Sequence, residues 1–144
     1  MEYLHQSALA IDFTMLLLLL LVQVIIYPAF QFIQELHFRS WHEAYCRKIT
    51  FFVMPVMTVQ FVEASFLLVQ HFHLLTGLKF SGVLAAWYLT FSIFVPLHNQ
   101  LRLGWSLHLI EKLIHWNWIR TFAWGMVFLL SCILRFAEFS PIAQ

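Results

Sequence analysis

Two histidines (His42, His98), two tyrosines (Tyr27, Tyr45), an arginine (Arg120) and three amides (Gln31, Asn99, Asn117) are the residues here best suited to chemistry. An imidazole titrates near neutrality and serves as a general base or a metal ligand. Arg120 is always charged and offers five donors. In the first turn of a helix its charge adds to the positive end of the helix dipole. That combination suits an anionic or enolate oxygen. A base beside preorganised donors is what proton removal from a carbon acid requires. Trp124 follows Arg120 by one turn and supplies an apolar wall. The plain alternatives are an arginine that snorkels to phosphate headgroups and histidines at a surface with no ligand.

A second group is deeper in the apolar sequence. Glu63 has Gln60 one turn away, and Gln23 occupies a similar position in an earlier segment. A carboxylate inside a membrane span is a functional candidate by default. Glu63 could equally hydrogen-bond Gln23 or Gln60 and lock two helices. No third ligand accompanies His42 and His98, because a capping role for Glu43 would turn it away. No metal is therefore assigned, and a metal or haem on His42 and His98 stands as an alternative. His71 and His73 form a His-x-His pair on the side expected to hold His5, and two residues at that spacing do not share a helix face. Cys46 and Cys132 fall at different depths, which argues against a disulfide. No nucleophile elbow, P-loop, HExxH, GxGxxG or CxxC occurs.

The elements that hold these residues follow from composition. Of 144 residues, 62% are hydrophobic and only 10% charged, with a mean hydropathy of +0.80. A soluble domain carries about 25% charged residues. Eight Lys and Arg against seven Asp and Glu leave no basic surplus for nucleic acid. The expected fold is an all-α membrane protein, a single antiparallel bundle of four transmembrane helices. The spans are placed at about 9–33, 41–71, 80–98 and 117–137. The first run lacks the basic start and small-residue end of a signal peptide, and reads as a retained span.

Six basic residues (Arg39, Arg47, Lys48, Arg102, Lys112, Arg120) fall on one side of these spans, and Lys79 and Arg135 on the other. The positive-inside bias then puts both long loops in the cytoplasm and both termini outside. Ser40-x-x-Glu43 has capping-box form, so the second helix is expected to start at Trp41. Leu101, Trp105, Leu109, Leu113 and Trp116 predict a separate amphipathic helix in the interface between spans 3 and 4. Pro55 is expected to kink span 2. Each span carries a polar or small stripe expected to face the bundle interior. On span 1 it includes Asp12, Gln23, Tyr27 and Gln31. On helix 2 it is His42, Tyr45, Gln60, Glu63 and Gln70. On span 3 it is Ser81, Ala85, Tyr88, Ser92 and Asn99. On span 4 it is Asn117, Arg120, Trp124, Ser131, Arg135 and Glu138.

Three stretches carry a family resemblance. They are Tyr27-Pro28-Ala29-Phe30; Trp41-His42-x-x-Tyr45 leading to Pro55-Val56-Met57; and Val95-Pro96-Leu97-His98-Asn99-Gln100-Leu101 followed by Asn117-Trp118-Ile119-Arg120-Thr121-x-x-Trp124. Together, in order over most of the chain, they resemble the anthrone-oxygenase-like family of small four-span membrane proteins. The closer likeness is to its uncharacterised bacterial branch. The resemblance implies a four-helix membrane fold. Fungal members oxidise anthrones to anthraquinones without a known cofactor. The shared positions map to His42, Pro96, His98, Asn99, Asn117, Arg120 and Trp124.

The functional expectation is a polar pocket at the cytoplasmic end of the bundle that binds a small apolar or aromatic molecule. The resemblance makes a cofactor-independent, anthrone-oxygenase-like oxidation the leading reaction. Arg120 with Asn99 or Asn117 would hold a phenolate or enolate, and His42 or His98 would take the proton. Tyr27, Gln31, Tyr45 and Trp124 would line the pocket. The competing expectation is a non-enzymatic scaffold, partner subunit or lipid-binding bundle. The expected partners are the lipid bilayer, a small apolar ligand and a second copy in a homodimer. The expected location is a bacterial inner membrane.

Overall fold

The computed structural model describes residues 2–139, with side chains described over 6–136. The side chains of His5 and Glu138 lie outside that range. Among the described residues the chain is helical, with no strand. Helix α1 runs as Glu2–Leu21, a π turn Val22–Ile26, a short α turn Tyr27–Ala29 and a 3-10 turn Phe30–Phe32. Helix α2 is Glu35–Gln70. Helix α3 is Leu74–Leu89, continued by a π turn Thr90–Phe94 and by Val95–Leu101. Helix α4 is Leu107–Phe139. Four helices are long and apolar enough to cross a membrane: Gln6–Phe32, Glu35–Gln70, Leu74–Leu101 and Leu107–Phe136.

The helices pack as a closed ring: α1 on α2, α2 on α3, α3 on α4, and α4 back on α1. The breaks between them are short, so successive helices run antiparallel. Two apolar layers fill the ring. One gathers Tyr27, Phe30, Phe38, Phe94, Leu101 and Leu113. The other gathers Met15, Leu19, Met57, Val83, Trp124 and Val127. A Cβ on Gly82 would stand 2.9 Å from Val127 Cγ2, so only glycine permits this approach of α3 to α4. The outer surface is also apolar: Phe51 is 75% exposed and Phe122 71%. An exterior of this kind suits lipid tails and not water.

Each π turn ends two residues before a proline. Pro28 lacks an N–H, and its ring would clash with the carbonyl of residue 24 in a regular helix. The π turn widens the helix there, and the Tyr27 N–H bonds the Val22 carbonyl five residues back. Pro96 follows the same pattern, with the Val95 N–H on the Thr90 carbonyl. Such turns recur at functional sites because they re-aim the residues that follow. Here those residues are Tyr27 and His98.

Three expectations are corrected. Helix α2 begins at Glu35, not Trp41, and Ser40 is inside it, donating to the His37 carbonyl at 3.1 Å. The separate interfacial helix does not exist. Residues from Leu107 belong to α4, and their apolar face packs on the first core layer: Ile110 and Leu113 are fully buried. No proline, glycine or cap interrupts the chain between Leu107 and Trp124, so nothing stops the helix. The break falls earlier, at Arg102–Ser106, which contains Gly104.

The third correction concerns α3. Ser81, Ala85, Tyr88, Ser92 and Asn99 all face outward. The inward face is Thr76, Lys79, Val83, Ala86, Thr90 and Phe94. A serine needs no partner helix when its hydroxyl bonds its own backbone, as Ser81 does to the Gly77 carbonyl at 2.8 Å. Lysine in contrast must be paired, and that requirement sets the rotation of α3.

Candidate functional site

At the two π turns, side chains from α1, α2, α3 and α4 meet around a cavity of about 320 Å³. Tyr27, Tyr45, His98 and Arg120 border it, and Val53, Met54 and Phe91 are among its apolar walls. Tyr45 is stacked on Trp41 at 5.6 Å and 4°, which fixes its ring. A chain of polar contacts leads away from the cavity. The Tyr27 hydroxyl is hydrogen-bonded to His98 Nε2 at 3.2 Å. His98 Nδ1 shares a hydrogen bond with His42 Nε2 at 3.0 Å. His42 is fully buried, stacked on Phe38 at 5.3 Å.

The Arg120 guanidinium sits 4.0 Å from the centre of the Phe94 ring. Only 6% of the residue is exposed, and its Nε has no hydrogen-bond partner. The same face of α4 carries three further buried polar atoms without a partner: Asn117 Oδ1, Thr121 Oγ1 and Trp124 Nε1. Spacings of three and four residues align all four. Buried polar atoms normally find partners, and of these four residues Arg120 is the one that borders the cavity.

The remaining sequence candidates separate from this cluster. Asn117 donates to Gln23 Oε1 at 2.7 Å, and Gln23 donates to the Ile114 carbonyl at 3.2 Å. This pair ties α1 to α4. Trp124 belongs to the second core layer, away from the cavity wall. Gln31 is half-buried and does not border the cavity, and Asn99 is exposed on the outer face of α3. Asn99 neighbours His98 in sequence, but successive residues point about 100° apart.

Gln60 and Glu63 belong to a different network. Lys79 Nζ lies 2.7 Å from Glu63 Oε2 and 3.1 Å from Asp12 Oδ2. Gln60 and Ser131 both donate to Asp12. Asp12, Gln60, Glu63, Lys79 and Ser131 are all buried. This cluster joins all four helices in the second layer. The expected partners of Glu63 were Gln23 and Gln60, and Lys79 takes that place. At the α2–α3 turn, Thr76 donates to the His71 carbonyl at 2.6 Å and accepts from the His73 N–H at 3.2 Å.

Sequence reasoning passed over Cys46. Its Sγ is 3.5 Å from His42 Nε2 and 3.7 Å from His98 Nδ1. The signal was present: His42 and Cys46 are four residues apart, hence neighbours on one helix face. On its other side Cys46 borders a hollow shared with Glu43, Arg47 and Arg102. Both cysteines are free thiols. No protein-family model, curated protein or solved structure matches the chain.

Proposed function

We propose that the chain is an integral membrane protein whose four helices span the bilayer as an antiparallel bundle. The cavity beside Arg120 binds a small apolar molecule with an oxygen that carries or develops negative charge. The observation that carries this reading is Arg120: a buried cation at an otherwise largely apolar cavity, with its Nε unpartnered. A charge in that setting needs a counter-group. The Tyr27 hydroxyl borders the same space and gives the ligand oxygen a second donor.

In the metal-free protein, the Tyr27 hydroxyl stands between the cavity and His98 Nε2, so the His98–His42 pair accepts a ligand proton by relay through Tyr27. The resemblance to anthrone oxygenases suggests the reaction class. An enolisable aromatic ketone loses a proton to the His98–His42 pair, and its enolate, held by Arg120, reacts with dioxygen: the methylene carbon becomes a carbonyl, one oxygen atom is kept there and the other leaves as water. The excess of Lys and Arg on one side supports a cytoplasmic position for this end, in a bacterial inner membrane.

The test compares anthrone with anthracene, which has the same ring frame and no oxygen. Arg120→Ala is expected to weaken anthrone binding at least tenfold, as for a lost hydrogen bond to a charged group (about 1.5–3 kcal/mol). Anthracene binding should stay unchanged. Equal anthrone binding by a folded Arg120→Ala variant would refute the assignment.

The non-enzymatic reading has one observation in its favour. The Asp12–Lys79–Glu63 network joins three helices through buried charge, as a purely architectural device would. It accounts for the second layer but leaves Arg120 unexplained.

A further inference from the structure

Three metal-ligating atoms converge where His98, on the cavity wall, meets the buried His42 and Cys46. His42 Nε2, His98 Nδ1 and Cys46 Sγ stand 3.0, 3.5 and 3.7 Å apart, edge by edge. Ligand bonds of about 2.0–2.1 Å to nitrogen and about 2.3 Å to sulfur put tetrahedral ligand atoms about 3.3–3.6 Å apart. The triangle therefore matches the face of a metal coordination shell to within a few tenths of an ångström. Among the described residues this is the one group of three or more His, Cys, Asp or Glu side chains so gathered.

The surroundings add three arguments. First, only one proton can sit between His42 Nε2 and His98 Nδ1. The Cys46 thiol lies 3.9 Å from the remaining His42 nitrogen, Nδ1, so the three side chains already address one another. Second, His98 uses its other nitrogen, Nε2, on the Tyr27 hydroxyl. Metal-bound histidines are commonly oriented by such an outer hydrogen bond. Third, Arg47 and Arg102 border the hollow beside Cys46. That hollow gives an ion a path to the thiol.

We propose that His42, Cys46 and His98 bind one cuprous ion. Charge decides between ions that favour such ligands. A thiolate with Cu(I) is neutral overall, while with Zn²⁺ it leaves a net positive centre beside Arg102 and Arg120. A neutral complex is the one a poorly solvated site tolerates. The inference goes beyond the ligand reading and stands without it. A copper-free protein leaves His42 and His98 as a free base pair, and a loaded protein turns the same end of the cavity into a metal centre.

The experiment loads detergent-purified full-length protein with Cu(I) under a reducing buffer, and separately with Zn²⁺. Metal per chain is measured after gel filtration. The expected result is one copper per chain, lost in Cys46→Ser and His42→Ala variants that elute as the wild type does. X-ray absorption should show one sulfur in the copper shell. Should the variants not fold, thiol labelling of the wild type decides. Copper should slow alkylation of Cys46 at least tenfold and leave Cys132 unaffected. Substoichiometric copper, copper retained by folded Cys46→Ser, or unprotected Cys46 would overturn the site. Stoichiometric zinc in preference to copper would overturn the choice of ion.

Discussion

Lys79 holds Glu63 at 2.7 Å across the turn that joins α2 to α3, and both side chains are buried. The same ammonium reaches Asp12 of α1 at 3.1 Å. One cation thus serves two carboxylates from two helices. Lys79→Met should destabilise the protein by about 3–5 kcal/mol, the usual result of stranding buried charge. Glu63→Gln should do less harm, because Asp12 still pairs with Lys79. Denaturant titration of both variants in detergent would check this order, and equal losses would show that Asp12 does not share the load.

The Tyr27–His98 hydrogen bond can be removed with the ring kept. Tyr27→Phe should lower stability by about 0.5–1.5 kcal/mol. Thermal unfolding measures that loss. The variant should also bind anthrone more weakly, through the loss of one donor to the ligand oxygen. Anthrone affinity equal to the wild type would restrict Tyr27 to orienting His98.

Gly82 fixes how closely α3 lies against α4. Gly82→Val introduces a Cβ that would stand 2.9 Å from Val127 Cγ2, with two further methyl groups beyond it. Overpacking of this kind costs about 1–3 kcal/mol. Adding Val127→Ala should restore part of the loss, since it removes the opposing methyl groups. A double variant no better than Gly82→Val alone would place the strain elsewhere.

Orientation is open to direct labelling. In a background lacking Cys46 and Cys132, a cysteine replacing Gly104 should react only with a reagent supplied from the cytoplasm. A cysteine replacing Phe72 should react only from the opposite side. The reverse pattern would invert the proposed topology.

Much of this architecture was legible from the chain. The apolar runs located four long helices, and their ends grouped Tyr27, Tyr45, His42, His98 and Arg120 together with Gln31, Asn99, Asn117 and Trp124, the last four of which do not border the cavity. The rotation of α3 was not legible. Its serines look like a polar stripe until their hydroxyls are allowed to bond the helix's own carbonyls. A single lysine, Lys79, outweighs them, because lipid accepts a self-bonded serine and rejects an unpaired ammonium. Cys46 was overlooked for a related reason. The i, i+4 pair His42 and Cys46 supplies only two ligands, and the third, His98, is 52 residues from Cys46. The start of α4 was misplaced because an amphipathic stretch fits a bilayer surface and a protein core equally well.

The two π turns have a consequence for how the halves of this protein can vary. Each adds one residue to a helical circuit, just before a proline, in α1 and in α3. Deleting that residue would rotate everything beyond it by about 100° relative to what comes before. Tyr27 and His98 would then swing out of the cavity while Asp12 and Lys79 kept their places. The turns therefore act as phase shifters between a charged girdle and a histidine-lined chamber. They allow the chamber to change its chemistry without re-indexing the girdle that holds the helices together.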